Sequence, residues 1–252
     1  MTYQKNTKNY LTTNIKDILT IVIPCKNEGW LIYDSLALIN NQKYIYGTKV
    51  IIADSSDEFG SLNIINSLKS CFSNIDIEII DGGLPAKARL EGSKLVKTPY
   101  LLFLDADMFI RDRELIYKIY RSTNVYLYSM DLLTVTYKTD FKWDWCYRIF
   151  DIVQWLSRKL NCCFAIGGFQ FWRTQAYWNC GGYNPDEMFA EDFSLSQKVS
   201  PKNFLVYRTN KVYTPSRRLE KKGIWYMMRL MFKSYKNRNN PEFFKQHHDY
   251  WI

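Results

Sequence analysis

The chain has 252 residues, 47% hydrophobic and 23% charged, a balance that excludes intrinsic disorder and suits one large core better than two. No apolar run reaches the roughly eighteen residues of a membrane span, and the N-terminal stretch MTYQKNTKNYLTTNIKD lacks the apolar centre of a signal peptide, so a cytosolic location is expected. The formal charge of +9 asks for an anionic partner, whether nucleic acid, an anionic membrane or a phosphorylated substrate. Six cysteines without CxxC spacing argue against zinc and read as reduced thiols.

In chain order, Ile18 to Cys25 (ILTIVIPC), Lys49 to Asp54 (KVIIAD) and Ile75 to Asp81 (IDIEIID) are short apolar runs rich in β-branched residues, as in strands buried on both faces. The segments EGWLIYDSLALIN, FGSLNIINSLKSCF and LPAKARLEGSKLV follow them and read as helices. This alternation predicts βαβ units, hence an α/β fold with a mostly parallel sheet that takes ligands at the carboxyl ends of its strands. The fourth strand, YLLFLD, puts Asp105 and Asp107 at that edge with only Ala106 between them. Unpaired buried carboxylates cost several kcal/mol, so a solvated loop or a cation must accompany them. A divalent cation, Mn²⁺ or Mg²⁺, would also clamp a diphosphate.

Downstream, VYLYSMDLLTVTYK reads as a long strand, FKWDWCYRIFDIVQWLSRKL as an aromatic amphipathic helix and CFAIGGFQFWR as a strand interrupted by glycine. PDEMFAEDFSLSQKV reads as a helix with acidic residues at its start, among them Glu191 and Asp192. NFLVYRTN and KVYTPS read as strands and KKGIWYMMRLMFKSYKNR as a closing helix. From Lys198 onward thirteen lysines and arginines face three acids, so this end is a cationic appendage. Its basic residues interleave with Trp225, Met228, Leu230 and Phe232, which suits an anionic membrane surface, the chain's own domain or a second copy of the chain.

The order of motifs resembles the family 2 glycosyltransferases of the GT-A fold. The matching stretches are IVIPCKNE (Ile21 to Glu28), VIIADSSD (Val50 to Asp57), GGLPAKARLEG (Gly82 to Gly92), LLFLDAD (Leu101 to Asp107) and GGFQFWRTQAYWNCGGYNPDEMFAEDFSLSQKV (Gly167 to Val199). They span about Ile18 to Arg218, which implies a tail over residues 1–17, a GT-A domain over 18–218 and a basic aromatic helical segment over 219–252.

The resemblance implies roles. Asp107 holds the metal, with Asp105 on the metal and on the ribose or donor sugar. Asp54 reads the base, commonly uracil. Pro24, Asn27 and Glu28 line the nucleoside pocket, while Arg89 and the Ala106 turn help hold the donor. Asp192, beside Glu191, is the general base that takes the acceptor proton in an inverting transfer. Read from the residues themselves, Gly167 and Gly168 form a bend close to a sugar or a bulge, and Trp172 stacks on the acceptor or packs in the core, with Gly168 and Trp172 placed on the acceptor side. Many relatives complete the metal site with a histidine after the last core strand, but VYTPSRRLEKKG has none, and His247 and His248 lie in the polar tail. As in a subset of the family, Arg217 or Arg218 would instead neutralise the diphosphate.

The expected function is therefore a metal-dependent transfer of sugar from a nucleoside diphosphate donor, UDP favoured, to a hydroxyl of a glycan or lipid-linked acceptor. A transferase acting on polyprenyl phosphate is the same-fold rival, weakened by Glu191 and Asp192, since a phosphate acceptor is already ionised. A non-catalytic protein binding nucleic acid or membrane through its cationic tail is the other, opposed by the intact Asp105, Asp107 and Asp192.

Overall fold

Residues 14–57, 61–125 and 130–248 are described by a computed structural model. The first half runs β1 (Leu19–Cys25), α1 (Trp30–Asn40), β2 (Thr48–Asp54), α2 (Ser61–Leu68), β3 (Ile75–Asp81), α3 (Pro85–Lys94), β4 (Tyr100–Leu104), β5 (Phe109–Ile110) and α4 (Leu115–Val125). The second runs β6 (Leu132–Val135), α5 (Asp144–Lys159), β7 (Phe169–Arg173), α6 (Thr174–Asn179), α7 (Glu191–Ser196), β8 (Phe204–Tyr207), β9 (Val212–Tyr213), α8 (Arg217–Lys222), α9 (Ile224–Lys236) and α10 (Pro241–Phe244).

Seven strands form one sheet in the order β3-β2-β1-β4-β7-β6-β8, and β5 pairs separately with β9. The first four are parallel, β7 is antiparallel to both neighbours, and β6 and β8 are parallel. Successive side chains of a strand face opposite ways, so each central strand feeds two cores. Ile21, Ile23, Ile52 and Leu102 pack with Ile32 and Leu36 of α1 and Ile116 and Ile119 of α4. Val22, Ile51, Leu101 and Phe103 pack on the other side with Trp172, Tyr177 and Tyr183. Burial on both faces is why these strands read as continuous apolar runs rather than alternating ones.

This topology determines what meets at the sheet edge. The parallel strands end together, with Cys25 beside Asp54 and Asp54 beside Asp81. Because β7 is antiparallel to β4, with Leu104 opposite Phe169, the residues just before β7 lie where β4 ends. The β5–β9 pair, with Ile110 opposite Val212, then carries the chain after β9 back to the aspartate turn.

Several elements are shorter than the sequence pattern predicts. Of the long strand expected over 125–138, Val125 closes α4, residues 126–129 lie outside the described residues, and only Leu132–Val135 is strand. The glycine-interrupted strand is confined to Phe169–Arg173, with Gly167 and Gly168 in the turn before it. The acidic helix is reduced to Glu191–Ser196, entered through Ala190 at φ +49°. Gly223, at φ +75°, divides the closing helix into α8 and α9. The far end of the chain packs on the domain: Leu230 of α9 and Phe243 and Phe244 of α10 share a small core with Cys162, Phe189 and Phe193.

Trp172 corrects an expectation. It is fully buried between α6 and the sheet, edge-on to Tyr177, with its indole N–H donating to Gln170 Oε1 at 3.0 Å. No acceptor can stack on it, because strand alternation turns its ring into the core. Trp172→Ala is expected to lower unfolding free energy by about 3–5 kcal/mol in a denaturant titration, while leaving nucleotide affinity unchanged.

Candidate active site

The site begins with a buried cation. Pro85 at the first turn starts α3 cleanly, and Ala86, Ala88, Arg89 and Gly92 lie on its buried face. Arg89 is thereby placed under the sheet edge at 3% exposure. One terminal nitrogen, Nη1, donates to Glu191 Oε1 at 2.7 Å, and Nη2 donates to Asp105 Oδ1 at 2.6 Å. The guanidinium carbon also lies 5.5 Å from the Tyr183 ring centre. Burial alone would pull the Arg89 pKa down, but Asp105, Tyr183 and Glu191 outweigh it and hold the pKa above its ordinary value. Arg89 therefore does not present itself to a donor as the sequence suggests. It lies beneath the site and reaches the ligand side only through Asp105.

Asp192 is fixed by the same turn. Its Oδ2 accepts the Gly167 N–H at 2.7 Å and its Oδ1 accepts its own neighbour's N–H, from Phe193, at 2.8 Å. Burial and the adjacent Glu191 push its carboxyl up to about 7, against the opposing pull of Arg89 and the two backbone donors. A Cβ on Gly167 would stand 3.0 Å from Arg89 Nη2 and 3.4 Å from Asp192, so this position needs glycine for close approach. Gly168 is buried and its carbonyl accepts the Asp105 N–H at 3.1 Å. It lies in the floor of the turn beside Asp105, and its carbonyl is engaged there.

On the solvent side, Arg217 Nη2 donates to Glu28 Oε2 at 2.8 Å and to Asp107 Oδ2 at 2.5 Å. The residue before it, Ser216, is buried and donates to Asp140 Oδ2 at 2.7 Å, which fixes the start of α8. Burial and neighbouring carboxylates push both Glu28 and Asp107 above the ordinary carboxylate range, and Arg217 draws both down. Arg218 also lowers the pKa of Asp107 through its charge.

The ends of β1 and β2 carry a pair of interlocked turns. Ser56 Oγ donates to Asp54 Oδ1 at 2.7 Å and accepts the Asn27 N–H at 2.8 Å. Asn27, at φ +54°, exchanges two side-chain bonds of 3.2 Å with Asp57. Asparagine tolerates that backbone region better than most residues. Pro24 is half-buried in β1 beside Ala53, and Ala106 is buried in the aspartate turn.

Among the described residues, no three of His, Cys, Asp and Glu converge as a metal cluster. The single guanidinium nitrogen touching Glu28 and Asp107 nevertheless shows two carboxylate oxygens aimed at one point. One or two carboxylates, completed by water and phosphate oxygens, suit Mg²⁺ or Mn²⁺. The donor set thus fits a divalent cation, with Glu28 at that point and the Oδ1 of Asp105 turned to Arg89.

Three participants had no reading of their own in the sequence. Tyr183 flanks Arg89 from a turn of ordinary composition. Thr134 Oγ1 donates to the Phe169 carbonyl at 2.8 Å, and the buried Tyr137 hydroxyl lies 3.4 Å from the Ile166 and Phe169 carbonyls, bracing the glycine turn from β6. The polar residues in the apolar run LLTVTY are the one signal that could have marked this brace.

A parallel sheet edge carrying aspartates after β2 and β4, facing a late acidic helix, defines a glycosyltransferase of the GT-A type. The family model "Glycosyl transferase family 2" matches residues 20–181, and the chain belongs to that family. A Bacillus spizizenii protein described as poly(ribitol-phosphate) beta-glucosyltransferase is 30% identical over 101 residues, covering 39% of this chain and 16% of its own length. Among solved structures, TarS of S. aureus is similar over 86% of this chain and 39% of its own, with a TM-score of 0.61 and 17% identity. Its 1–349 fragment with UDP-GlcNAc gives a TM-score of 0.59 at 17% identity, over 79% of this chain and 58% of the fragment. Mannosyltransferase PcManGT from Pyrobaculum calidifontis, bound to GDP-Man and Mn²⁺, gives a TM-score of 0.65 at 13% identity, over 86% and 64% of the two chains. At these identities the structures establish the fold alone. The chain spans only about a sixth of the curated relative's length.

The raised Asp192 carboxyl has a consequence for stability. Between its ordinary 3.8 and about 7 the folded protein holds a proton that the unfolded chain has released, so stability falls as pH rises through that window. Urea unfolding from pH 4 to 8 is expected to show that decline, and Asp192→Asn to flatten it.

Proposed function

We propose that this chain transfers a sugar from a nucleoside diphosphate donor, UDP favoured, to a hydroxyl of a glycan or lipid-linked acceptor, with inversion at the anomeric carbon. The observation that carries the reading is the placement of two carboxylate groups on either side of Arg89: Asp105 and Asp107 on the donor side, Glu191 and Asp192 on the acceptor side. The relative that acts on poly(ribitol-phosphate) and the solved structures holding UDP-GlcNAc and GDP-Man support a nucleotide-sugar donor.

The nucleoside lies against the turns of Asn27 and Asp54, where a carboxylate can accept a base N–H. Asp107 and Glu28 would hold a divalent cation, which would offset the charge of the leaving diphosphate. Arg217 contributes a guanidinium to the same diphosphate, and Arg218 adds positive charge beside it. Asp192 Oδ takes the acceptor hydroxyl proton as that oxygen bonds to the anomeric carbon, and the bond from that carbon to the diphosphate oxygen breaks with its electron pair leaving on the nucleotide. A base raised to about 7 is matched to work near neutral pH, and the Gly167 and Phe193 N–H groups fix its orientation.

Polyprenyl phosphate as acceptor is disfavoured by this arrangement. An anionic acceptor would meet Asp192, an acid with no proton of that acceptor to remove, while Glu191 is buried against Arg89.

Calorimetric titration with UDP, GDP and their sugars, in Mn²⁺, Mg²⁺ or chelator, tests the reading. One nucleotide is expected to bind with a metal requirement, and Asp107→Ala to weaken it at least about tenfold, the loss of one charge-assisted contact. Absence of binding by every nucleotide under every condition would refute the donor site.

A further inference from the structure

Arg217 occupies the point that a metal needs. Its Nη2 lies 2.8 Å from Glu28 Oε2 and 2.5 Å from Asp107 Oδ2, so one nitrogen spans both carboxylates. The position is built rather than incidental. The β5–β9 pair returns the chain to the aspartate turn, and Ser216 is buried with its hydroxyl donating to Asp140 and Glu220 at 2.7 and 3.0 Å. Arg217 itself remains half exposed, with 51% of its side chain accessible, so it has room to swing outward.

We propose that Arg217 is an exchangeable internal cation: its guanidinium holds Glu28 and Asp107 until a diphosphate draws it away, so that the divalent cation binds together with the nucleotide and weakly without it. This rests on the donor-site reading above. A divalent cation and a guanidinium cannot share the same carboxylate oxygens, because both are positive and both need the same lone pairs. A metal arriving alone must therefore break two charge-assisted hydrogen bonds, leaving Arg217 with no anion at hand. A diphosphate offers the guanidinium a planar pair of acceptors at the moment the carboxylates are released. The exchange couples metal to nucleotide, and the coupling is reciprocal: each raises the affinity of the other by the same factor.

The test is Mn²⁺ binding to the full chain, read from the electron paramagnetic resonance of free Mn²⁺, with and without UDP. Wild type, Arg217→Gln, Arg217→Lys and Arg217→Gln/Asp107→Asn are compared. Without nucleotide, Arg217→Gln is expected to bind Mn²⁺ about tenfold or more tightly than wild type, within the usual range of coupling between sites. The gain should vanish in the Asp107→Asn double variant, and Arg217→Lys should stay near wild type. UDP should raise Mn²⁺ affinity strongly in wild type and much less in Arg217→Gln. Equal Mn²⁺ affinity in wild type and Arg217→Gln overturns the exchange, as does a gain that survives Asp107→Asn. Absence of any UDP effect in wild type, with the Arg217→Gln gain intact, overturns the donor reading and leaves the competition between Arg217 and metal standing.

Discussion

A guanidinium with 3% of its surface exposed can persist only if anions reach it, and the site is organised around that requirement. Arg89 comes from α3, Asp105 from the end of β4 and Glu191 from the start of α7. Removing any one of the three leaves a charge out of water without its partner, so the ion triad ties three distant stretches of chain into one arrangement. The Tyr183 ring and the close-fitting Gly167 complete the enclosure. In the proposed function the triad joins two tasks, since Asp105 adjoins the donor side and Glu191 adjoins the proposed base, Asp192.

The arrangement has a cost that the chemistry explains. Asp192 is partly withdrawn from water and sits beside Glu191, which raises its carboxyl and lowers stability at neutral pH. Glu28 and Asp107 are raised for related reasons, with burial the largest cause in each. Carboxylates crowded at a strand end are tolerated where cations are at hand, and here Arg89 serves one pair and Arg217 the other. Anionic ligands and a divalent ion would complete the same balance of charge.

Much of this was legible in the sequence. β1, β2 and β4 lie within a residue of the predicted strands, because burial on both faces leaves an unbroken apolar signal, and β3 coincides with IDIEIID although, at the sheet edge, it exposes Asp76 and Asp81 instead of being buried on both faces. The spacing of Asp105 and Asp107 after β4 was equally readable. What escaped were features set by long-range packing. Trp172 looks like a cleft aromatic until strand register shows which way it faces, and Arg89 looks like a donor contact until the depth of α3 is known. Glu28 and Arg217 stand 189 positions apart, and the small β5–β9 pair and the Ser216–Asp140 bond help bring them together. The acidic helix has only six residues, since Pro185 and Asp186 form a turn and the chain enters the helix through Ala190 at positive φ.

Arg89 and its two carboxylates thus form one energetic unit. The most direct test of this is the unfolding free energy of Arg89→Met, of Glu191→Leu and of the two together at neutral pH. Arg89→Met alone should cost about 3–5 kcal/mol, because it strands buried Glu191 and part-buried Asp105. The double variant should recover a large part of that loss, because one stranded charge is gone. A cost below about 1 kcal/mol for Arg89→Met, or a double variant as unstable as the sum of the singles, would contradict the account.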